Sequence, residues 1–282
     1  MKNNRIAIIG GNGEIGKHLI KYFGKKNILI LSSKKKNNFK SFNLKKKINE
    51  VELQKLLFNV NTVIFCSSLI IERNKKKIYN FNYIYFKSFL NFFKKIDKKL
   101  IYLSTASVYP QNTNFACNEK MKIFKNKMTG NFYAYTKFLA EKEIVKVMKK
   151  KSYLILRIGA IYGLNNNSNF LDKCLKKIKN KKKIVFQEPL STKFNFLHID
   201  QVVDCIGFMI KKQKFGTYNI GNYKFITLNQ LIKNIRKLYN NSIIQLNKEK
   251  TNANFLKYYI NFSILKLKKI NYKFKKSIFF LY

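Results

Sequence analysis

The sequence predicts an α/β protein with a doubly wound parallel sheet, followed by a smaller C-terminal α+β lobe. In the first half of the 282-residue chain, short apolar runs alternate with segments of helical spacing. Four of the eleven glycines lie within positions 10–16, where the first apolar run meets the first helical segment. Buried parallel strands are continuous apolar runs, and strand, helix and strand within about thirty residues are typical of a right-handed βαβ unit.

The predicted elements of the first part follow in chain order. Residues 5–9 form an apolar strand that ends at the glycines. Residues 13–23 then carry apolar side chains at helical spacing, and residues 28–31 form the second strand. The same patterns predict further strands at residues 62–65, 100–104 and 153–158, and helices at residues 80–93 and 132–148.

The alternation becomes less regular after Gly163. Here the predicted elements are a polar loop at residues 165–169, helices at residues 171–178, 202–210 and 228–238, and strands at residues 184–186 and 217–220. We expect a first domain at residues 1–163 with a return segment at residues 194–221. The second, smaller lobe is expected at residues 164–193 and 222–282.

The chain is strongly basic, with 58 Lys plus Arg against 13 Asp plus Glu and a formal net charge of +45. Clustered cations favour binding to nucleic acid, but only four of the basic residues are Arg, the better residue for bidentate recognition of phosphates and bases. The lysines are scattered, so we interpret the charge as compositional drift on a solvated surface, with non-specific attraction to polyanions. Such drift makes the remaining glycines, arginines and acids informative.

The composition excludes several other classes of protein. With 46% hydrophobic and 15% aromatic residues, the chain is not a disordered basic tail. The four cysteines are widely spaced and the histidines are His18 and His198, so we expect neither a disulfide scaffold nor a metal site. The apolar runs near both termini are too short for a signal peptide or a membrane span, so we expect a cytoplasmic protein without membrane contact.

The glycines at positions 10–16 predict a dinucleotide-binding loop. Gly10, Gly13 and Gly16 fit the pattern G-x-x-G-x-x-G at a strand-to-helix turn, with Glu14 and Ile15 between them. Glycines there permit a tight turn and close approach of a pyrophosphate, while the amides at a helix N-terminus favour negative charge. The alternative is a plain glycine-rich turn.

The end of the second predicted strand bears on which dinucleotide is bound. An acid about 20 residues beyond the glycines would hydrogen-bond the adenosine ribose of NAD. This chain instead has Ser32, Ser33 and Lys34, whose hydroxyls and ammonium suit the 2′-phosphate of NADP better. We therefore expect NAD(P) as the cofactor, with NADP preferred over NAD.

A hydroxyl, a tyrosine and a lysine form the candidate catalytic set. Thr105 follows a predicted strand at the sheet edge where open α/β sheets bind ligands, although its neighbour Ser104 could serve instead. Tyr133 and Lys137 lie one turn apart on one face of a predicted helix. A nearby ammonium favours the phenolate of a tyrosine, so the pair can move a proton at a substrate hydroxyl or carbonyl.

Together these motifs resemble the extended short-chain dehydrogenase/reductase family, the NAD(P)-dependent epimerases, dehydratases and reductases of nucleotide sugars, which have a Rossmann-type fold. Further resemblance lies in the Ser-Thr-Ala-Ser-Val-Tyr block at residues 104–109, in Arg157 and Gly163, and in the Tyr-Asn-Ile-Gly strand at residues 218–221. The resemblance implies that Tyr133 is the general acid/base and that Lys137 lowers its pKa and binds the nicotinamide ribose. Thr105 would orient the reacting oxygen.

The resemblance also implies a wall for the cofactor site. Cys66, Ser67 and Ser68 stand where the family usually has a His-x-Ala-Ala segment beside the cofactor, which makes Cys66 a buried wall residue rather than a nucleophile. Asn82 lies in a helix in the manner of the family's structural asparagine. The second lobe would bind the substrate.

Departures from the family pattern limit the reaction. Ala106 and Ser107 stand where the dehydratases carry catalytic acids, so dehydration is not expected. Ala160 replaces an asparagine that often contacts substrate, and Phe194, beside Lys193, replaces an arginine that clamps the nucleotide-sugar phosphate. A nucleotide-sugar substrate nevertheless remains the expectation, with epimerisation and ketone reduction both open.

Two further expectations concern partners. Family members often dimerise through the helices that correspond to residues 80–93 and 132–148, which implies a homodimer. The alternative function is a non-catalytic dinucleotide sensor or an RNA-binding protein on the same fold. The Tyr133 and Lys137 pair argues against that alternative, because a binding module needs no activated tyrosine.

Overall fold

The computed structural model describes residues 5–33, 39–46, 48–70, 73–111, 113, 115–123, 132–164, 169–186, 188–222, 225–240, 243–246 and 260–274. Its strands are β1 (Ile6–Ile9), β2 (Ile28–Ser32), β3 (Lys40–Ser41), β4 (Thr62–Phe65), β5 (Lys99–Thr105), β6 (Tyr153–Ile158), β7 (Ala160–Tyr162), β8 (Ile184–Phe186), β9 (Lys193–Phe194), β10 (Phe196–His198), β11 (Gly216–Ile220), β12 (Ile226–Thr227) and β13 (Ile244–Leu246). Its α-helices are α1 (Glu14–Phe23), α2 (Glu50–Leu57), α3 (Lys75–Tyr79), α4 (Tyr85–Phe93), α5 (Phe132–Val147), α6 (Phe170–Lys179), α7 (Ile199–Lys211), α8 (Leu228–Leu238) and α9 (Leu265–Lys268).

Among the described residues, seven strands form one parallel sheet in the order β11-β6-β5-β4-β1-β2-β3. The chain runs from β1 outward through β2 and β3, and then crosses back to β4 on the other side of β1. The carboxyl ends of β1 and β4 therefore flank a topological switch point, which is where open α/β sheets bind ligands. The predicted doubly wound parallel sheet is confirmed.

Apolar side chains cover both faces of this sheet because successive strand residues point to opposite sides. On one face, Ile8 and Ile30 pack with residues of α1 and α7. On the other face, Ile9 and Val63 pack with α4 and α5. A separate core lies between α6, α8 and β8.

Several predicted elements differ from the structure. The helix predicted at residues 80–93 begins at Lys75, because α3 and α4 are joined by a π-helical segment, Asn80–Ile84. Sequence analysis missed α2, a short helix whose start is fixed by the side chain of Asn49, which accepts hydrogen bonds from the amides of Val51 and Glu52. Residues 165–168 of the predicted polar loop lie outside the described residues.

No helix in the described ranges is long and apolar enough to cross a bilayer. At one edge of the central sheet, β11 pairs in parallel with β6. Short two-stranded sheets, β8 with β13 and β9 with β12, lie outside the central sheet.

Candidate active site

The glycine loop lies between β1 and α1, beside the switch point. Gly10 has a φ of +97°, which a side chain would strain, and a Cβ there would lie 2.7 Å from the backbone nitrogen of Ser67. A Cβ at Gly16 would lie 2.4 Å from the carbonyl oxygen of Gly10. The backbone of the loop therefore packs directly against neighbouring backbone at Gly10 and Gly16. Its outer surface remains accessible to a ligand.

The N-terminus of α1 faces the same region. Gly13 is its N-cap residue and supplies no side-chain hydrogen bond, although its own amide donates to the carbonyl of Gly10 over 2.9 Å. Glu14 lies in the first turn and pairs with Lys17, and Ile15 packs against the core under the sheet. Helix amides without a side-chain cap can bind an anionic group such as a phosphate.

One buried polar atom in the loop, Oδ1 of Asn12, lacks a hydrogen-bond partner in the part of the chain described. Buried polar groups are normally paired, so such an atom indicates a missing partner. An amide oxygen fits a hydroxyl group of a ribose, and the loop therefore fits a dinucleotide.

The two described residues of the predicted recognition segment at the end of β2, Ser32 and Ser33, lie in different environments. Ser32 is buried and accepts a hydrogen bond from Nδ2 of Asn12. Ser33 is exposed and lines a cleft of about 280 Å³ that also contains Lys46 and Glu52. Lys34 lies outside the described residues. Sequence analysis did not place a carboxylate near Ser33, because Glu52 is supplied by α2, which was not predicted.

Tyr133 and Lys137 lie in the first turns of α5, where Lys137 is buried and Tyr133 is half-buried. Burial raises the pKa of the Tyr133 phenol to about 12, and the hydroxyl of Ser68 opposes that rise. Nζ of Lys137 donates to the carbonyl of Leu103 over 2.8 Å and lies 5.8 Å from the centre of the Tyr133 ring. Burial lowers the pKa of Lys137 to about 7, against the opposing charges of Cys66 and Glu141.

These directions differ from the simple expectation that Lys137 lowers the pKa of Tyr133. Burial disfavours the charged form of both groups, so the phenol is held neutral and the ammonium is weakened. The two side chains are thus adjacent in a site with little water, where small changes in charge have large effects on protonation.

Cys66 forms part of the wall beside this pair. Its thiol donates to the carbonyl of Ile9 over 3.1 Å, and burial raises its pKa to about 12. A thiolate is needed for nucleophilic attack, so this environment does not suit a nucleophile. The structure brings Cys66, Ser68, Tyr133 and Lys137 together.

Thr105 and Ser104 point to opposite sides of β5, and this separates their roles. Oγ1 of Thr105 accepts a hydrogen bond from the amide of Ser107 over 3.2 Å, and Thr105 lines a cleft of about 300 Å³. Ser104 is buried on the other side and donates to Glu141. Thr105, rather than Ser104, is the hydroxyl available to a ligand in the cleft.

The cleft lies beside the end of β5 and the segment that contains β9. Its lining contains one cationic side chain and no carboxylate among the described residues; the lining residues are Thr105, Ala106, Ser107, Gln111, Ile158, Gly159, Ala160, Lys193, Phe194, Asn195, Ile260 and Phe262. The ring of Phe194 stacks on Phe170 and Phe196 at centroid distances of 5.3 and 5.2 Å. The cleft can hold a polar molecule of small size with an apolar wall on one side.

The side chain of Asn82 connects two segments of the candidate site by hydrogen bonds. It lies in the π-helical segment, where its Oδ1 accepts from the amide of Leu69 over 2.8 Å and its Nδ2 donates to the carbonyl of Leu69 and to Oγ1 of Thr136. These bonds connect the loop after β4 to α5. Asn82 therefore positions the segments that carry Ser68 and Tyr133.

A buried ion pair that the sequence patterns do not predict lies next to the candidate catalytic set. Nη2 of Arg157 donates to Oε2 of Glu141 over 2.7 Å, and Nε of Arg157 lies 3.2 and 3.1 Å from the two carboxylate oxygens. Glu141 is one of only 13 acids in the chain and follows Lys137 by one helical turn. That scarcity was the signal that could have identified it.

In the described ranges, no group of three or more His, Cys, Asp or Glu side chains is arranged to hold a metal ion. The chain's two histidines instead meet at Asp200, where Nδ1 of His18 lies 3.2 Å from Oδ1 and His198 caps the start of α7.

Comparison with known proteins gives a family and a common fold. A model of the NAD dependent epimerase/dehydratase family matches residues 6–221. The ADP-L-glycero-D-manno-heptose-6-epimerase of Brachyspira hyodysenteriae is 26% identical over 273 residues, covering 85% of this chain and 83% of the relative.

Two solved structures have the same architecture. The UDP-N-acetylglucosamine 4-epimerase from Methanobrevibacter ruminantium M1, in complex with UDP-N-acetylmuramic acid, has a TM-score of 0.79 at 19% identity, over 99% of this chain and 95% of that chain. The dTDP-4-dehydrorhamnose reductase from Bacillus anthracis str. Ames, in complex with NADP, has a TM-score of 0.74 at 18% identity, over 96% and 94%. At these identities the likeness concerns the fold alone.

Proposed function

The chain belongs to the NAD-dependent epimerase/dehydratase family, and on that premise we propose that it is an epimerase of a nucleotide-linked sugar. The observation that carries this proposal is the pair of Tyr133 and Lys137 beside the glycine loop. The curated heptose 6-epimerase supports epimerisation, since it matches most of the chain.

When bound, a nicotinamide dinucleotide would supply hydride transfer. The chain's own part is to move one proton: the phenol oxygen of Tyr133 donates it to a substrate carbonyl oxygen or removes it from a substrate hydroxyl. Lys137 supplies a positive charge that stabilises the phenolate, and Thr105 hydrogen-bonds the reacting oxygen. Burial of Tyr133 keeps the proton on the phenol until that oxygen arrives.

The cofactor would lie along the glycine loop and the segment after β4. We assign its contacts to Gly10, Gly13, Glu14, Ile15 and Gly16. The remaining assigned contacts are Ser32, Ser33, Lys34, Cys66, Ser67, Ser68 and Asn82, together with Tyr133 and Lys137; the hydrogen bonds of Asn82 indicate that it acts by positioning.

We propose NADP as the preferred form because hydroxyls rather than an acid end β2, although Glu52 nearby works against a 2′-phosphate. Calorimetric titration with both cofactors tests this preference. Tighter binding of NAD would overturn it.

Dehydration is not proposed. Water elimination needs an acid or base near the departing hydroxyl, and the described lining of the cleft carries no carboxylate. Ketone reduction is the second candidate, and the expected preference for NADP favours it. An epimerase shows no net consumption of its cofactor, whereas a reductase oxidises NADPH in proportion to product.

The smaller lobe, residues 164–193 and 222–282, is proposed to bind the substrate. Lys193 is the cation that the described cleft offers to a phosphate group. A homodimer and a cytoplasmic location remain predictions, to be tested by sedimentation and by fractionation.

The test is a screen of nucleotide-linked sugars and 4-keto sugars with the wild-type chain and with Tyr133→Phe. We expect Tyr133→Phe to lower kcat by roughly 10² to 10⁴-fold, because the acid/base is removed, while the cofactor Kd changes far less, since the ring and the other assigned cofactor contacts remain. Tyr135→Phe, on the same helix, is the matched control. Turnover that survives in Tyr133→Phe would refute the assignment.

The non-catalytic alternative predicts a different pattern. A sensor would bind the dinucleotide and turn over none of the sugars. An RNA-binding protein would lose affinity steeply as salt rises, because its lysines act through counterion release.

A further inference from the structure

The turn that carries Thr105 is held at both ends by one buried ion pair. Before the turn, the hydroxyl of Ser104 donates to Oε1 of Glu141. After the 3-10 turn at Ala106–Val108, the hydroxyl of Tyr109 accepts from Nη1 of Arg157 over 2.8 Å. Glu141 and Arg157 bind each other through two nitrogens of the guanidinium, so the two ends of the turn meet at a single rigid group.

The sheet register places these groups together. Ser104 on β5 is the neighbour of Arg157 on β6, so their side chains leave the sheet on the same face. Glu141 approaches that face from α5, where Tyr133, Lys137 and Glu141 follow at intervals of four residues along one side of the helix. Glu141 is therefore the residue through which the helix of Tyr133 and Lys137 is joined to the turn of Thr105.

We propose that Glu141 and Arg157 are a positioning pair for the reaction, which fix the turn carrying Thr105 against the helix carrying Tyr133 and Lys137. This inference rests on the proposed function, since it concerns the same site. Neither residue of the pair lines the cleft, so both act through their hydrogen bonds to Ser104 and Tyr109.

The hydrogen-bond chain continues beyond Tyr109 to the wall of the cleft. The hydroxyl of Tyr109 donates to Oδ1 of Asn219 over 2.8 Å, and Nδ2 of Asn219 donates to the carbonyl of Ser263 over 2.8 Å. The neighbouring Phe262 lines the same cleft as Thr105. One continuous network thus sets the position of Thr105 and of a wall that the substrate would touch.

Stability alone does not require such a pair. Replacing a buried ion pair by apolar residues of similar volume is often neutral or stabilising. The particular feature here is that its remaining hydrogen-bonding groups point to both flanks of the catalytic turn. Glu141 also opposes the effect of burial on Lys137, which faces Cys66, Tyr102 and Tyr133 as well.

The first experiment removes one hydroxyl at the end of the turn. Tyr109→Phe keeps the ring and the ion pair, and we expect kcat to fall by roughly 10-fold or more, since small displacements of orienting groups cost up to about 10²-fold. KM and the cofactor Kd are expected to stay within about 2-fold, since Tyr109 lines neither site and Asn219 keeps its own bond to Ser263 when Tyr109 loses its hydroxyl. Tyr83→Phe is the matched control, because its hydroxyl binds Glu143 on the outer side of α5. Wild-type kcat in Tyr109→Phe would overturn the proposal.

The second experiment needs no substrate. Amide hydrogen exchange of residues 104–109 is measured in Glu141→Gln and in the control Glu143→Gln, at equal distance from each variant's unfolding midpoint. We expect exchange in this segment to rise by roughly 10-fold or more in Glu141→Gln alone, because the loss of the ion pair frees the turn. Unchanged exchange would overturn the proposal. Faster exchange in Glu141→Gln, together with no turnover of any sugar by the wild type, would support the connection that Glu141 and Arg157 make and would refute the proposed function.

Discussion

Replacing Lys137 by methionine should change how stability depends on pH. In the unfolded chain a lysine titrates at its ordinary pKa of 10.5, whereas burial lowers the pKa of Lys137 to about 7 in the folded chain. Between these two values the unfolded chain binds the extra proton. The stability of the wild type must therefore rise with pH across this window, and the cost of burying the ammonium is greatest below pH 7.

The magnitude follows from the two pKa values. Integrated from pH 7 to pH 9, the linkage relation gives the wild type a gain of about 2 kcal/mol relative to Lys137→Met, whose side chain does not titrate. The hydrogen bond from Lys137 to Leu103 is lost at every pH and so cancels from this difference. Other groups with shifted pKa values, such as Tyr133, are present in both chains and cancel as well.

The assay is urea unfolding of both chains, without ligands, at pH 7, 8 and 9. Lys142→Met, at an exposed position of the same helix, controls for the removal of one lysine from α5. A free-energy difference between wild type and Lys137→Met that stays constant within about 0.5 kcal/mol over this range would refute the reasoning. It would mean that Lys137 is not desolvated in the folded chain.

Two further predictions concern the scaffold of the site. Gly16→Ala should weaken dinucleotide binding, measured by calorimetry, by at least about 10-fold, because its Cβ would overlap the backbone of the loop. Gly13→Ala should weaken binding less, because its Cβ would lie 3.3 Å from the carbonyl oxygen of Gly10. Equal effects of the two substitutions would contradict the steric argument. Asn82→Ala should lower the free energy of unfolding by about 2 kcal/mol in urea titration, because it leaves the half-buried amide and carbonyl of Leu69 without their partner; a loss no larger than that of the exposed Asn27→Ala would contradict this.

The parts of the site found from sequence are those that lie within one local segment. The glycine loop is a seven-residue pattern, and Tyr133 with Lys137 is a spacing within one helix, so both can be read without knowing how the chain folds. The parallel sheet was predictable for the same reason, because continuous apolar runs alternate with helical spacing. Local patterns carry this information directly.

The parts not found depend on which strands become neighbours. Glu141 lies on α5 and Arg157 on β6, and their meeting with Ser104 follows from the register of β5 against β6. Thr105 and Ser104 could not be distinguished before that register was known, although strand alternation already required them to face opposite ways. Glu52 was missed near Ser33 because α2 is short and its start depends on a single cap at Asn49.

In this chain of net charge +45, several of the few acids hold specific parts of the structure. Several of its few carboxylates have specific internal partners: Glu141 binds Arg157, Asp172 accepts from the amide of Gly163, and Glu119 accepts from the amide of Asn219. A buried carboxylate with such partners cannot be lost without leaving charges or amides unpaired, whereas a surface acid can be replaced by lysine at little cost. These carboxylates therefore hold the turn that carries Thr105 and the backbone at Gly163 and Asn219.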